Sequence, residues 1–222
     1  MRTLAIGDIH GSLTALKALG EFVGYTDEDT IVPLGDYVDR GPDSIGVIDY
    51  FIELKKTHKV ITLKGNHELM MENARDSEQE LYFWMLNGGE ATLKSFDVES
   101  LNEIDSKYWG FIRSCSRYHE TENHILAHAG LEPDVSLKNQ SDEFLFWHRI
   151  HSTEPHDSGK TLVCGHTPQR NGIPLVLGHA VCIDTFAVGG GWLTCLDVDT
   201  GEYWQANQKG QARKGSLQKQ EA

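Results

Sequence analysis

Short apolar runs recur along the chain, and several stop in a cluster of glycine and polar residues. Thr3 to Ile6 runs into Gly7-Asp8-Ile9-His10-Gly11, and Ile31 to Leu34 into Gly35-Asp36-Tyr37-Val38-Asp39-Arg40-Gly41. Val60 to Leu63 reaches Gly65-Asn66-His67-Glu68, Ile125 to Ala127 meets His128-Ala129-Gly130, and Leu162 to Cys164 meets Gly165-His166-Thr167-Pro168. Each run has strand length and is rich in β-branched or aliphatic residues, so each predicts a strand. Helical spacing separates the first three: Leu13, Leu16, Leu19 and Phe22, then Ile45, Ile48, Phe51, Ile52 and Leu54, with Pro42 just before an expected cap at Ser44. Strand, loop and helix repeated in this way predict parallel βαβ units. Leu69 to Leu101 reads as helical, broken at Asn87-Gly88-Gly89. The last third changes character: Pro174 to Leu177, Ala180 to Asp184, Trp192 to Asp197 and Tyr203-Trp204 read as short antiparallel strands joined by Gly-rich turns. No repeat or linker interrupts residues 1–206, which are expected to form one domain. Residues 207–222 lack apolar periodicity and are expected to be a flexible tail.

Composition narrows the classes. The chain has 222 residues, 39% hydrophobic and 24% charged, which fits a globular protein with a sizeable core. Its formal charge is -13, so a general nucleic-acid or membrane binder, which needs a basic surplus, is not expected. The opening MRTLAIGDIHG does not read as a signal peptide, and no run of about 18 apolar residues occurs. Cys115, Cys164, Cys182 and Cys195 are widely spaced, which argues for reduced, buried thiols rather than a disulfide framework or a cysteine-rich zinc site. A cytoplasmic location is the default expectation.

In open α/β sheets, functional groups gather in loops beyond the carboxyl ends of strands. Pooled, the five clusters supply Asp8, His10, Asp36, Asn66, His128 and His166: carboxylate, imidazole and amide oxygen. One metal cannot easily use all six and keep a position for chemistry, whereas two can if one carboxylate bridges them. Mixed oxygen and imidazole donors suit Mn, Fe or Zn better than Ca. Arg40 offers the parallel donors that match phosphate oxygens, and Arg149, in Phe146-Trp147-His148-Arg149, is a second candidate. His67 follows Asn66 and can protonate a leaving alkoxide, with Asp39 orienting it and favouring its charged form. Singly, each histidine reads as a hydrogen-bonded loop residue; five such clusters in order at five strand ends do not. His58, His119, His124, His148, His151, His156 and His179 lack that setting and read as surface or structural. Most of Trp109, Trp147 and Trp204 read as core.

At this point GDIHG, GDYVDRG, GNHE, HAG and GHTP resemble the signature of the phosphoprotein-phosphatase branch of the calcineurin-like metallophosphoesterases. The likeness runs from Asp8 to about His166, and CIDTFAVGGGWLTCLDV extends it to about residue 198. Chain length, the NGG after GNHE, and FWHR look most like the small lambda-type and bacterial serine/threonine protein phosphatases. The resemblance implies an α/β fold, a four-layer αββα sandwich of two mixed β-sheets flanked by helices. It implies a dinuclear centre: Asp8 and His10 on the first metal, Asp36 bridging, and Asn66, His128 and His166 completing the second. Mn is the ion it implies first, with Fe or Zn as alternatives. Arg40, Arg149 and Asn66 would hold the phosphate, the Asp39–His67 pair would serve the leaving group, and a hydroxide between the metals would attack phosphorus in line, with no phosphoenzyme. Two departures stand out. Phe186 follows Ile183-Asp184-Thr185 where the family commonly has glycine, which would reshape a substrate-facing rim. Arg149 is matched by FWHR alone.

The leading expectation is a metal-dependent phosphatase acting on phosphoserine and phosphothreonine in proteins, with phosphotyrosine as an extension. A symmetrical bis(5'-nucleosyl)-tetraphosphate hydrolase would use the same motifs on a phosphoanhydride. A catalytically silent binding module is a third reading, weakened because every expected side chain is present. The partner is a phosphorylated protein or a small phosphorylated molecule, and oligomeric state is left open.

Overall fold

The computed structural model describes residues 1–217. The chain alternates β1 (Thr3–Ile6), α1 (Leu13–Val23), β2 (Thr30–Pro33), α2 (Ser44–Leu54) and β3 (Lys59–Val60). Four helices follow: α3 (Asn66–Asn73), α4 (Glu78–Trp84), α5 (Glu90–Phe96) and α6 (Ser106–Ser114). Then come β4 (Tyr118–Glu120), β5 (His124–Ala127), α7 (Asp142–Trp147) and β6 (Thr161–Cys164). The last strands are β7 (Leu175–Val176), β8 (Ala180–Cys182), β9 (Leu193–Asp197), β10 (Glu202–Ala206) and β11 (Ala212–Ser216).

Two mixed sheets result, ordered β11-β10-β9-β1-β2-β3 and β4-β5-β6-β8-β7. The inner strands β1, β2, β5, β6 and β8 are mostly apolar on both faces because both faces are covered. In β1, Leu4 and Ile6 pack outward under α1, α2 and α6, while Ala5 joins Val32, Leu126, Val163 and Val181 in the layer between the sheets. On the far side, Ile125, Ala127, Leu162 and Cys164 pack against Leu145 and Phe146 of α7. The result is the expected helix–sheet–sheet–helix sandwich. β1, β2 and β3 are parallel, as are β5, β6 and β8, so their carboxyl ends point the same way within each sheet.

Several local expectations need correction. Asp43, not Ser44, caps α2: its carboxylate accepts the Gly46 N–H at 2.8 Å. Ser44 is already inside the helix, and its hydroxyl faces Thr92 Oγ1 at 3.3 Å. The Ala180 segment is not purely antiparallel, since β8 pairs with β7 antiparallel but with β6 parallel. The tail expected from residue 207 is ordered over Ala212–Ser216, which pairs along β10 as the outer strand. Its solvent-facing, charged sequence hides that pairing from a hydrophobicity reading. Residues 218–222 of that expected tail lie outside the described residues. The break at Asn87-Gly88-Gly89 falls in a wide helical turn, Met85–Gly89, with Gly88 at φ 108°. The four cysteines are buried and unpaired. Among the described residues, no helix is long and apolar enough to cross a membrane.

Candidate metal centre

Each of the five motifs lies just beyond the carboxyl end of a strand or at the start of the helix that follows it. The backbone there is contorted: His10, Asp36, Asp39, Arg40 and His166 all have positive φ, between 44° and 70°. Non-glycine residues in the left-handed region cost on the order of 1–3 kcal/mol each, so five in one place mark a site the fold over-determines. Close approach does the rest. A Cβ on Gly65 would collide with Asp36 Oδ1, and one on Gly165 with Asp8 Oδ1.

The structure brings the six expected ligands together, all of them buried. Asp36 lies at the middle: Oδ2 is 3.2 Å from His10 Nε2, and Oδ1 is 3.5 Å from His128 Nε2. Both Asp8 oxygens accept the His166 N–H, at 3.1 and 3.0 Å. Asn66 Oδ1 lies 2.9 Å from His128 Nε2 and 3.1 Å from His166 Nδ1. Ligand atoms of Asp8, Asp36 and His128 fall within 4.8 Å of one another, and so do those of His10, Asp36 and His67.

The ring nitrogens away from the centre fix the tautomers. His10 Nδ1 donates to Val38 O at 2.8 Å, His128 Nδ1 to Leu34 O at 3.0 Å, and His166 Nε2 to Trp147 O at 3.2 Å. A carbonyl can only accept, so the inward nitrogens of the neutral rings present lone pairs. Burial lowers the His128 pKa, and burial with the neighbouring His128 lowers His166 to about 3, so both rings are neutral near pH 7. His128 Nε2 and His166 Nδ1 then face each other at 3.2 Å beside Asn66 Oδ1. Converging lone pairs repel unless a cation lies among them, so this donor set fits bound divalent ions. Burial raises Asp8, reinforced by Asp184 and Asp36. Asp36 is held well below the usual carboxylate range, its burial outweighed by His128, His67 and His10. Burial works against a charged His10, but Asp36 prevails and raises its pKa.

The Asp39–His67 pair is present as expected. His67 Nδ1 lies 2.7 Å from Asp39 Oδ2, and His67 Nε2 is buried with no hydrogen-bond partner among the described residues. Asp39 does favour the imidazolium, but burial outweighs it and the His67 pKa is lowered. Sequence reasoning missed what holds Asp39. Trp84 Nε1 donates to Oδ1 and Oδ2 at 3.0 and 2.9 Å, and Thr92 Oγ1 donates to Oδ1 at 2.6 Å. It also missed Glu68, which accepts the N–H groups of Asp36, Tyr37 and Gly65 and so pins two motif loops together. No local signal announces these contacts. The His-Glu order in GNHE is the nearest hint, for Glu68 alone.

Arg40 and Arg149 both line a cleft of about 470 Å³ over the cluster. Arg40 Nη1 lies 3.0 Å from His10 Nε2, so its guanidinium must turn aside for that nitrogen to take a metal. Arg149 Nη1 donates to His166 O at 2.5 Å. The other walls include Asp184, Arg170, Phe186 and Trp147. Burial raises Asp184 to about 6. Trp109 and Trp204 are core, but Trp147 is 37% exposed at the rim, 6.3 Å from Phe83. His148 stacks on Phe144 at 4.4 Å and is not a wall of the cleft.

The family model for calcineurin-like phosphoesterases matches residues 1–193. Serine/threonine-protein phosphatase 1 of Salmonella typhimurium is 31% identical over 204 residues, covering 87% of this chain and 90% of that protein. The asymmetrical bis(5'-nucleosyl)-tetraphosphatase PrpE of Oceanobacillus iheyensis is 29% identical over 229 residues, covering 91% of each. A cold-active protein-tyrosine phosphatase of a psychrophilic Shewanella superposes with a TM-score of 0.66 at 16% identity, covering 96% of this chain and 80% of that one.

Proposed function

The chain belongs to the calcineurin-like phosphoesterase family, and on that premise we propose that it hydrolyses phosphoserine and phosphothreonine esters in proteins, with phosphotyrosine as an extension. The observation that carries the chemistry is the inward-facing set of lone pairs beside an oriented Asp39–His67 pair. The Salmonella relative, matched over most of both chains, supports the protein-ester reading.

Asp8 and His10 would hold one divalent ion, Asp36 would offer an oxygen to each of two, and Asn66, His128 and His166 would hold the second. Mn is the expected ion, with Fe or Zn as alternatives. Bound there, the ions supply a water of lowered pKa and Lewis acidity toward phosphoryl oxygens. Arg40 and Arg149 would clamp the phosphoryl group with planar, charge-assisted donors, and the Asn66 amide would help orient it. Asp39 accepts the His67 Nδ1–H, so His67 would serve the leaving oxygen only as the imidazolium: Nε2 would give up its proton and the ring would remain neutral with its proton on Nδ1. Attack in line then needs no covalent link to the protein.

One observation favours a second reading. PrpE matches nearly end to end, and its chemistry cleaves a phosphoanhydride rather than an ester. Kinetics with Mn decide between them. The first reading expects higher kcat/KM on a phosphoserine peptide, and a tenfold or greater preference for diadenosine tetraphosphate would overturn it. Absence of Mn-dependent p-nitrophenyl phosphate turnover would favour a silent binding module.

A further inference from the structure

Three guanidinium groups line the cleft: Arg40, Arg149 and Arg170. The first two are engaged by the protein at His10 Nε2 and His166 O. Arg170 is exposed, and among the described residues its guanidinium has no hydrogen-bond or ion-pair partner. It lies instead over the Phe186 ring, 4.8 Å from the centroid. The negative face of an aromatic ring attracts a guanidinium and fixes its plane, leaving the N–H donors on its edge free for oxygen acceptors.

Phe186 is held for that contact against its own preference. Its φ is 63°, a left-handed conformation that is an outlier for a bulky residue. The surroundings enforce it. Its N–H donates to Asp184 Oδ1 at 3.0 Å, and its carbonyl accepts from Gly189 and Gly191 at 3.1 and 2.9 Å. The ring lies where a Cβ on Gly189 would be. Glycine would adopt this backbone without strain, so the ring itself is what the position supplies.

We propose that Arg170, stacked on Phe186, is a subsite for a second anionic group of the substrate, beside the phosphoryl group taken at the metal centre. The inference rests on the phosphoesterase reading of that centre. Two sources share the chemistry: the adjoining phosphate of an oligophosphate chain, or an acidic side chain next to a phosphorylated residue.

Calorimetric titration of the Mn-loaded protein separates them. One arm compares α,β-methylene-ADP with the phosphonate analogue of AMP; the other compares peptides carrying the phosphonate analogue of phosphoserine beside Glu or Gln, so that no ligand can be cleaved. The wild type is expected to prefer the more anionic member in at least one arm. Arg170→Ala should cut that preference by about tenfold. Phe186→Leu, which keeps bulk but lacks the ring face, should reduce it in the same direction, and Arg170→Lys should restore only part of it. Loss confined to the nucleotide arm assigns an adjoining phosphate, and loss confined to the peptide arm assigns an acidic residue. Equal preferences in wild type and Arg170→Ala in both arms overturn the subsite. Because these ratios are read without turnover, a wild type that shows them yet never hydrolyses p-nitrophenyl phosphate would overturn the proposed activity and leave the subsite standing.

Discussion

The Asp39 carboxylate is fully buried, yet it receives His67, Trp84 and Thr92 at once. Those contacts fix its plane, and through it the His67 ring. His67→Ala should lower kcat by roughly 10²–10⁴ on substrates with poor leaving groups and less on p-nitrophenyl phosphate, whose leaving group needs little protonation. An equal loss on both would show that His67 does not protonate the leaving oxygen. Thr92→Val removes a donor to Asp39 without touching substrate. Partners that orient a reacting group are typically worth about 10–100-fold in activity, so kcat on a phosphoserine peptide should fall within that range. The loss should carry the same leaving-group dependence as His67→Ala, which a general loosening of the fold would not produce. The pair itself was legible in the sequence because both members lie in short, ordered motifs. Trp84 and Thr92 were not, since they reach Asp39 across 45 and 53 residues of chain and no local pattern encodes that meeting.

At the level of elements, β1, β2, β5 and β6 were readable because their runs are nearly all apolar, whereas β3 is a strand only over Lys59–Val60 of the run expected to reach Leu63, and the polar β4 gave no such signal. What periodicity cannot show is which edge a strand joins, so the parallel pairing of β8 and the outer position of β11 emerged only from the structure. The Asn87-Gly88-Gly89 break was visible, but its purpose was not. Gly88 O accepts the Arg40 N–H at 3.1 Å, and a Cβ on Gly88 would stand 2.8 Å from Arg40 Cγ. The wide turn thus seats the phosphate-binding candidate. Gly88→Ala should destabilise the protein by about 1–3 kcal/mol, given the positive φ, and should raise KM more than it lowers kcat. Denaturant unfolding and steady-state kinetics check the two halves separately. At the other end of the sheet, Arg2 pairs with buried Asp29 through Nε and Nη2, which lowers the Asp29 pKa below its ordinary value. A depressed carboxylate contributes stability above its unfolded pKa, about 3.9, and loses it as pH falls through the folded value. Asp29→Asn should therefore cost about 1–2 kcal/mol at pH 7 and flatten the fall in stability below about pH 4. A variant whose acid limb matched the wild type would assign that limb to other carboxylates.

For the whole molecule, the charge of -13 sets a local problem against a global one. The protein is an anion, and its cleft gathers further negative charge: Asp8, Asp36 and Asp184 are all buried beside one another. Without cations, that arrangement repels a phosphate. Bound divalent ions would dominate the field of their own site and reverse its sign locally, while the surface stays acidic. The acidic balance offers a long nucleic-acid backbone no general attraction, whereas a small phosphorylated group can still be carried into the cleft. Stability should report the same event. A ligand that binds only the folded state stabilises by about 2.7 kcal/mol at a hundredfold excess over Kd, which for a chain of this size raises Tm by roughly 5–10 °C. Mn should produce that rise in the wild type at pH 7, and a chelator should remove it together with inorganic phosphate binding. Asp36→Asn lacks the carboxylate that faces both halves of the cluster, so it should lose most of the Mn-induced shift and nearly all turnover. The pH trend follows from the carboxyl groups. Burial raises Asp8, so protons compete with the metal as pH falls, and the Mn-induced shift should shrink toward acid. A Tm that Mn leaves unmoved at neutral pH, or an Asp36→Asn variant with wild-type turnover, would rule out the dinuclear centre.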